Sequence, residues 1–177
     1  MRSRQFNKPD RKIVVIAHNI RSVQNVGSIL RTADCLGVAK VYATGYTPNL
    51  TTQTDGSNLP ILPHVRDKLA RELHRSALGT ELTVNWQYST DIEVLIDQLK
   101  SDGYVIVGLE QAARSISLPE YRPPQKIALL LGEEVHGLTD RLMDKCDQLI
   151  EIPMFGAKES FNVSVATGIA LYRLICE

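Results

Sequence analysis

Short runs of apolar and β-branched residues alternate along the chain with longer stretches in which apolar residues recur every three to four positions. The short runs are typical of buried strands, and the longer period is typical of amphipathic helices. The pattern predicts strands at Ile13–Ala17, Lys40–Ala43, Leu82–Trp86, Tyr104–Leu109, Ile127–Leu131 and Gln148–Ile152. It predicts helices at Val26–Leu36, His64–Leu78, Thr90–Ser101, Leu138–Lys145 and Asn162–Ile175. This alternation indicates an α/β fold, with a mainly parallel sheet flanked by helices on both faces.

The length of 177 residues suits one full-sized core and is too short for two ordinary domains. We therefore expect residues 1–177 to form a single domain with a basic N-terminal tail at 1–12. That tail is either a nucleic-acid contact or a solvated terminus. A polar stretch between Gly45 and Pro63 is either a substrate-facing loop or a variable connection.

Composition and charge exclude several classes of protein. Lysine and arginine together number 20, as do aspartate and glutamate, so any contact with a nucleic acid must come from a local patch. The three cysteines, Cys35, Cys146 and Cys176, lie far apart without a C-x-x-C pair, which indicates reduced thiols and no zinc site. No apolar run approaches eighteen residues. We therefore expect a cytoplasmic protein with no metal and no membrane contact.

The first candidate segment for chemistry is Asn25 to Ala33, after the first predicted strand. Asn25 is a residue type that caps helices, and Gly27 allows a ligand or another backbone to approach the first turn. Arg31 lies one turn after Gly27 and can offer a guanidinium to a phosphate. Taken alone, the segment is weak evidence for a site, since a capped amphipathic helix with one arginine is usually only a solvated helix.

The second segment, Leu131 to Leu138, lies at the carboxyl end of a predicted buried strand. Ligands of open α/β sheets bind at such ends, and Gly132 and Gly137 permit a tight turn beside a ligand. Glu133 and Glu134 are candidates for the site, but one of them could instead cap the following helix or face water. His136 is a solitary turn histidine, which is more often a surface residue, and we leave it out of the site.

The third segment runs from Ile152 through a loop into the last predicted helix. Ser160 and Asn162 are residue types that start helices, so capping alone would explain them. From Val163 to Cys176 the only charged residue is Arg173. A helix that is apolar nearly all round is buried on both sides, and in a chain of this size the second cover is expected to be another subunit of a two-fold dimer.

Together the three segments resemble the signature motifs of the SpoU family, also called the TrmH-type family, of SPOUT methyltransferases. The matches are N-x-G-x-x-x-R-x-A at Asn25 to Ala33, L-G-x-E-x-x-G at Leu131 to Gly137, and I-P-M followed by S-x-N-V-S-V-A within Ile152 to Ala166. Each motif alone is weak evidence for the family, whereas the three motifs in this order are specific for it. The resemblance covers the chain from about Ile13 to Leu174.

The resemblance implies a C-terminal deep trefoil knot that holds S-adenosylmethionine, largely through backbone groups of three loops. Carried over by position, the residues that bind this cofactor are Leu109, Glu110, Gly132, Ile152, Met154, Phe161 and Asn162. Members of the family more often have leucine where this chain has Phe161. Phe161 also supplies an apolar wall, but the substitution does not tell how its side chain contacts the cofactor.

The resemblance also implies an enzyme that methylates a ribose 2′-hydroxyl of transfer or ribosomal RNA, with transfer RNA favoured. Its catalytic cluster corresponds to Asn25, Arg31, Glu134, Ser160 and Asn162. A guanidinium holds its proton strongly, so we interpret Arg31 as the group that positions phosphate and ribose, and the identity of the base stays open. Relatives often carry RNA-binding extensions, and this chain is expected to be a minimal form.

Two other classes of protein are weighed against this hypothesis. A knotted RNA-binding module without catalysis would have been favoured by loss of Arg31 or Asn162, and both are present. A classical Rossmann methyltransferase or dehydrogenase is disfavoured because no G-x-G-x-x-G follows a strand near the N-terminus. The sequence carries no legible code for the RNA or the nucleotide that is modified.

Overall fold

The computed structural model describes residues 10–48 and 62–176. Its strands are β1 Lys12–His18, β2 Lys40–Thr44, β3 Trp86–Ser89, β4 Val105–Leu109, β5 Ile116–Ser117, β6 Lys126–Leu131 and β7 Gln148–Glu151. Its helices are α1 Val23–Cys35, α2 Pro63–Ala77, α3 Ile92–Ser101, α4 Asp140–Lys145 and α5 Val163–Cys176. Most of the basic N-terminal tail and most of the 45–63 loop lie outside the described residues, so the functions considered for them stay hypotheses.

The strands form one sheet in the order β3-β2-β1-β6-β4-β7-β5. Every pair of neighbouring strands is parallel. Parallel neighbours need crossover connections, which here are mostly helices, and this explains the alternation of strand and helix along the sequence. The predicted α/β fold with a parallel sheet is confirmed.

Both faces of the sheet are buried, as the apolar strand sequences predict. Successive residues of β1 point to opposite faces, so that Val15 packs beneath α1, α2 and α5 while Ile16 packs beneath α3 and α4. Both side chains have no exposed surface. The central strands therefore form a rigid platform, and the loops at their ends carry the polar residues.

The prediction of a strand at Leu82–Trp86 is wrong in its position. A 3₁₀ turn occupies Thr80–Leu82, and the strand begins only at Trp86. Leu82 is 84% exposed, so its apolar side chain contributes nothing to the core. Strand β5 is not predicted by the sequence at all, because it is two residues long and lies in a polar, proline-containing segment. It pairs at the edge of the sheet with β7.

Gly27 is the place where helices α1 and α2 meet. A Cβ atom there would lie 2.1 Å from the Ser76 hydroxyl and 2.9 Å from the carbonyl oxygen of Leu73. Of the two alternatives for Gly27, a ligand or another backbone, the structure therefore shows the backbone of α2. This packing fixes the orientation of α1, which carries two of the predicted catalytic residues.

Among the residues that the structure describes, helix α5 is covered on one side. Ala170, Leu171 and Leu174 are fully buried against the sheet and α1. Val165, Ile169 and Tyr172, which are 50%, 37% and 63% exposed, recur at positions that share the opposite face of the helix. None of the described helices has the length and apolar character needed to cross a membrane.

Candidate functional site

A cleft of about 240 Å³ lies at the carboxyl ends of the neighbouring strands β4, β6 and β7. Three chain segments form its walls: the loop after β4, the turn after β6 and the loop between β7 and α5. The polar lining includes Glu110, Glu133, Glu134 and Ser160, and the apolar lining includes Leu109, Ile152, Met154 and Phe161. Carboxyl ends of parallel strands are where ligands of open α/β sheets bind.

The turn after β6 is closed by two backbone hydrogen bonds between Glu133 and Gly137, at 3.2 and 3.0 Å. Gly137 has a φ of +66°, which favours glycine. A Cβ atom on Gly132 would lie 2.3 Å from the carbonyl carbon of Gly137. The Glu110 carboxylate accepts a 2.7 Å hydrogen bond from the backbone amide of Leu138 and so ties the turn to the loop after β4.

Glu134 joins the turn after β6 to the start of α1. Its carboxylate accepts hydrogen bonds from the backbone amides of Arg21 and Ser22, at 3.1 and 3.2 Å. It also accepts one of 2.9 Å from the side-chain amide of Asn25. A carboxylate that accepts amide hydrogen bonds at a helix start is stabilised in its ionised form. Glu134 therefore holds Asn25 in a fixed orientation at the mouth of the cleft.

Asn25 in turn contacts the third segment. The side-chain amide of Asn162 donates a 3.1 Å hydrogen bond to the side-chain oxygen of Asn25. The side-chain oxygen of Asn162 accepts a 2.9 Å hydrogen bond from the backbone amide of Ser164. Asn162 therefore caps α5, as its residue type predicts, and also links α5 to α1. One chain of hydrogen bonds thus connects all three sequence segments.

The prediction that Asn25 caps α1 is wrong. The helix begins two residues earlier, and Ser22 is the cap, since its hydroxyl accepts a 3.3 Å hydrogen bond from the backbone amide of Asn25. The side chain of Asn25 is therefore available for Glu134 and Asn162. The alternative in which Glu134 caps the helix after its own turn is also wrong, because Thr139 caps α4.

The pKa of Glu134 lies below its ordinary value. Burial alone would raise this pKa, but the hydrogen bonds from Asn25 and from the amides of Arg21 and Ser22 outweigh burial. The ionised carboxylate of Glu134 therefore stabilises the fold at pH values above about 4.5, the ordinary pKa of the group in the unfolded chain. This contribution to stability is lost as the pH falls through the lower pKa of the folded state.

We therefore expect Glu134→Gln to lower the free energy of unfolding at neutral pH, because an uncharged amide cannot accept these hydrogen bonds equally well. The difference from the wild type should shrink as pH falls below about 4.5. Urea unfolding of both proteins between pH 3 and pH 7 measures it. A difference that does not change with pH would contradict the proposed ionisation.

Arg31 and Ser160 are placed differently from the rest of the predicted catalytic cluster. Ser160 lines the cleft and is exposed. Arg31 is exposed on α1 outside the cleft, and its guanidinium makes no hydrogen bond or ion pair with the described part of the chain. The structure therefore joins Asn25, Glu134 and Asn162 directly and leaves Arg31 facing solvent.

Most of the residues predicted to bind the cofactor line the cleft. They are Leu109, Glu110, Gly132, Ile152, Met154 and Phe161. Asn162 lies next to Phe161 but outside the lining. Both carboxylate oxygens of Glu110 accept backbone hydrogen bonds, from Leu138 and from Gln111, so its side chain supports the loops of the cleft.

Sequence reasoning missed a second polar group beside this turn. The carboxylate of Glu133 accepts hydrogen bonds from the hydroxyl of Tyr46 and from Nδ1 of His136. Partial burial and the bond to Glu133 raise the pKa of Tyr46 to about 12. No motif marks Tyr46, because it reaches Glu133 only through the adjacency of strands β2, β1 and β6.

In the described residues no group of three or more His, Cys, Asp or Glu side chains could hold a metal ion.

The fold and the cleft define an α/β protein with a cleft at the carboxyl edge of a parallel sheet. The profile of the SpoU rRNA methylase family matches residues 55–172. The chain belongs to the SpoU rRNA methylase family, which confirms the resemblance inferred from its motifs.

Individual relatives agree with this assignment. A tRNA (guanosine(18)-2′-O)-methyltransferase of Borreliella burgdorferi is 28% identical over 163 residues, which cover 92% of this chain and 66% of the relative. The A. aeolicus TrmH/SpoU tRNA modifying enzyme superposes with a TM-score of 0.74 at 26% identity, over 93% of this chain and 74% of that chain. An AdoMet-bound rRNA methyltransferase from Sinorhizobium meliloti has the same fold, with a TM-score of 0.76 at 24% identity over 92% of this chain and 55% of that one. This chain is thus shorter than each of them.

Proposed function

We propose that the protein transfers a methyl group from S-adenosylmethionine to a ribose 2′-hydroxyl of RNA, with transfer RNA the favoured substrate. The observation that carries the proposal is the hydrogen-bonded chain Glu134–Asn25–Asn162 at the cleft. It brings together the residues of three separate family motifs. The Borreliella burgdorferi relative, which is named for 2′-O-methylation of a transfer RNA, supports this choice of substrate.

The residues of the cleft fit S-adenosylmethionine. Gly132 lets the backbone of Gly137 and Leu138 pack directly against it, since a Cβ atom there would lie 2.3 to 2.6 Å from their backbone atoms, and the tight turn that results lines the cleft. Leu109, Ile152, Met154 and Phe161 supply apolar walls suited to an adenine ring. When bound, the donor supplies an electrophilic methyl group on a sulfonium.

The chain's own residues position the acceptor. Glu134 fixes Asn25, and Asn25 fixes Asn162, so that the donor cleft and the start of α1 keep a constant geometry. Arg31, one turn beyond Gly27 on α1 and free of described partners, holds an RNA phosphate and the target ribose through its planar donor fork. Ser160, at the other wall of the cleft, contacts the substrate. Alignment of the two reactants supplies most of the rate enhancement.

Incubation with a methyl-labelled donor and bulk cellular RNA tests the proposal. We expect label in 2′-O-methyl nucleosides after enzymatic digestion, with transfer undiminished by a metal chelator. Binding of the donor and of RNA without transfer would instead identify the protein as a non-catalytic RNA-binding module.

We also propose that the active protein is a homodimer formed through α5. Val165, Ile169 and Tyr172 form an exposed apolar row on this helix, and a contiguous apolar face on a folded protein is a common interface feature. A two-fold axis through this row would bury it against its own copy.

The dimer is tested by Ile169→Asp, which places a charge in the apolar row and should yield monomers, because an unpaired buried charge costs several kcal/mol. Val94→Asp is the matched control, since Val94 is an exposed aliphatic residue on α3, on the other face of the sheet. Sedimentation velocity at micromolar concentration should show a dimer for the wild type and the control. A monomeric wild type would contradict the proposal.

Three further features belong to the same proposal. We propose that residues 1–177 act as one domain and that the segment around β7 and α5 forms a trefoil knot, which the placement of β7 between β4 and β5 supports. Free cysteines at Cys35, Cys146 and Cys176 suit the reducing cytoplasm, where we propose that the protein acts.

A further inference from the structure

The outer face of α2 carries a row of basic side chains. His64, Lys68, Arg71 and Arg75 lie at spacings of four, three and four residues, which places them along one side of the helix. Leu73 and Ala77 on the opposite side are buried against α1. We call the row of Lys68, Arg71 and Arg75, with His64 at its start, the basic stripe. From Lys68 to Arg75 it extends roughly 10 Å, at about 1.5 Å per residue.

The charges of the basic stripe have no partner among residues 10–48 and 62–176. All four of its residues are exposed. Lys68, Arg71 and Arg75 make no ion pair or hydrogen bond with any described residue. The cations Arg141 and Lys145 of α4 differ in this respect, because both pair with Glu93 of α3. In a chain of zero net charge, three cations on one helix face that pair with no described acid create a local positive potential.

The stripe lies on the side of the molecule that carries α1. Helix α2 lies between β2 and β3 in the chain, and its last turns lie near the start of α1, which follows the carboxyl end of β1. Gly27 of α1 packs directly on the last turns of α2, and Arg31 follows Gly27 by one turn. Residues 62–68 are all exposed, so the first turns of α2 stand clear of the core.

From this arrangement we infer that the basic stripe is a docking surface for the sugar-phosphate backbone of the RNA substrate, outside the catalytic cleft. The inference rests on the proposed function, since it concerns the same substrate. Phosphate contacts supply affinity and register without reading sequence. The stripe would therefore hold RNA against the molecule while Arg31 positions the target ribose.

The test compares RNA binding by two triple variants that each lose three positive charges. The first is Lys68→Gln, Arg71→Gln and Arg75→Gln on the stripe. The second, the matched control, is Lys100→Gln, Arg114→Gln and Arg141→Gln, whose cations are surface ion-pair partners of Asp147, Asp144 and Glu93. Fluorescence anisotropy with unmodified transfer RNA at several salt concentrations gives the Kd and its salt dependence.

We expect the stripe variant to bind RNA about tenfold more weakly than the wild type. In a plot of the logarithm of the binding constant against the logarithm of the salt concentration, the steepness should fall by about 2, because each lost phosphate contact reduces it by about 0.7 to 0.9. At saturating RNA its single-turnover transfer rate should match that of the wild type. The control variant should keep the wild-type slope, and Asp67→Asn, beside the stripe, should tighten binding.

Equal Kd values and slopes for the stripe variant and the wild type would overturn the inference. Equal weakening by both triple variants would overturn it too, since net charge alone would then account for binding. These outcomes are distinct from failure of the proposed function, which would appear as no methyl transfer by the wild type itself.

Discussion

Arg31→Ala is expected to reduce methyl transfer by about a hundredfold or more while leaving the fold and the affinity for the methyl donor nearly unchanged. Arg31 is exposed and lies outside the donor cleft, so its removal opens no cavity. A loss of alignment between phosphate, ribose and donor is worth several kcal/mol of activation free energy. Single-turnover transfer and calorimetric titration of the donor measure the two effects separately.

Arg31→Lys serves as the control for charge and should restore little activity. Lysine keeps the positive charge but lacks the planar donor fork that fixes a phosphate in one orientation. Transfer near the wild-type rate in the alanine variant would remove Arg31 from the catalytic residues. A large loss of donor affinity would instead assign it to the donor site.

Gly132→Ala is expected to abolish measurable binding of the methyl donor and to destabilise the protein by about 1 to 3 kcal/mol. The added Cβ atom would lie 2.3 to 2.6 Å from backbone atoms of Gly137 and Leu138. Backbone in a turn closed by hydrogen bonds cannot move aside as a flexible side chain does, so the turn must distort. Calorimetric donor titration and thermal unfolding measure the two losses.

Gly156→Ala is the matched control, because Gly156 lies in the third loop and a Cβ atom there meets no described atom within 4 Å. Its donor affinity and unfolding temperature should equal those of the wild type. If Gly132→Ala also bound the donor normally, the turn after β6 would not belong to the donor site.

The central strands and all five helices follow from the hydrophobic pattern, because strands such as β1 and β6 are buried on both faces and have continuous apolar sequences. The hydrophobic pattern does not predict elements that are not buried in this way. Leu82 is apolar but exposed, and β5 owes its pairing to its neighbour β7 rather than to its own sequence. Edge elements depend on tertiary contacts that a local pattern does not contain.

Prediction of the candidate site from the sequence has the same limit, because its contacts are tertiary. Family motifs identified Asn25, Glu134 and Asn162, but residue types alone suggested three separate helix caps. Only the fold shows that Glu134 reaches across 109 residues of sequence to Asn25, and that Ser22 performs the capping instead. Tyr46 and its bond to Glu133 had no sequence signal, because an isolated tyrosine in a loop has no periodicity or spacing that marks it.

The most direct test of the proposed function is the chemical position of the transferred methyl group. Transfer RNA labelled by the wild-type protein is hydrolysed in alkali, which needs a free 2′-hydroxyl to cleave each phosphodiester bond. A methyl group on a ribose oxygen blocks cleavage, so we expect label in alkali-resistant dinucleotides. Label in mononucleotides would place the methyl group on a base and would contradict the proposed ribose 2′-O-methylation.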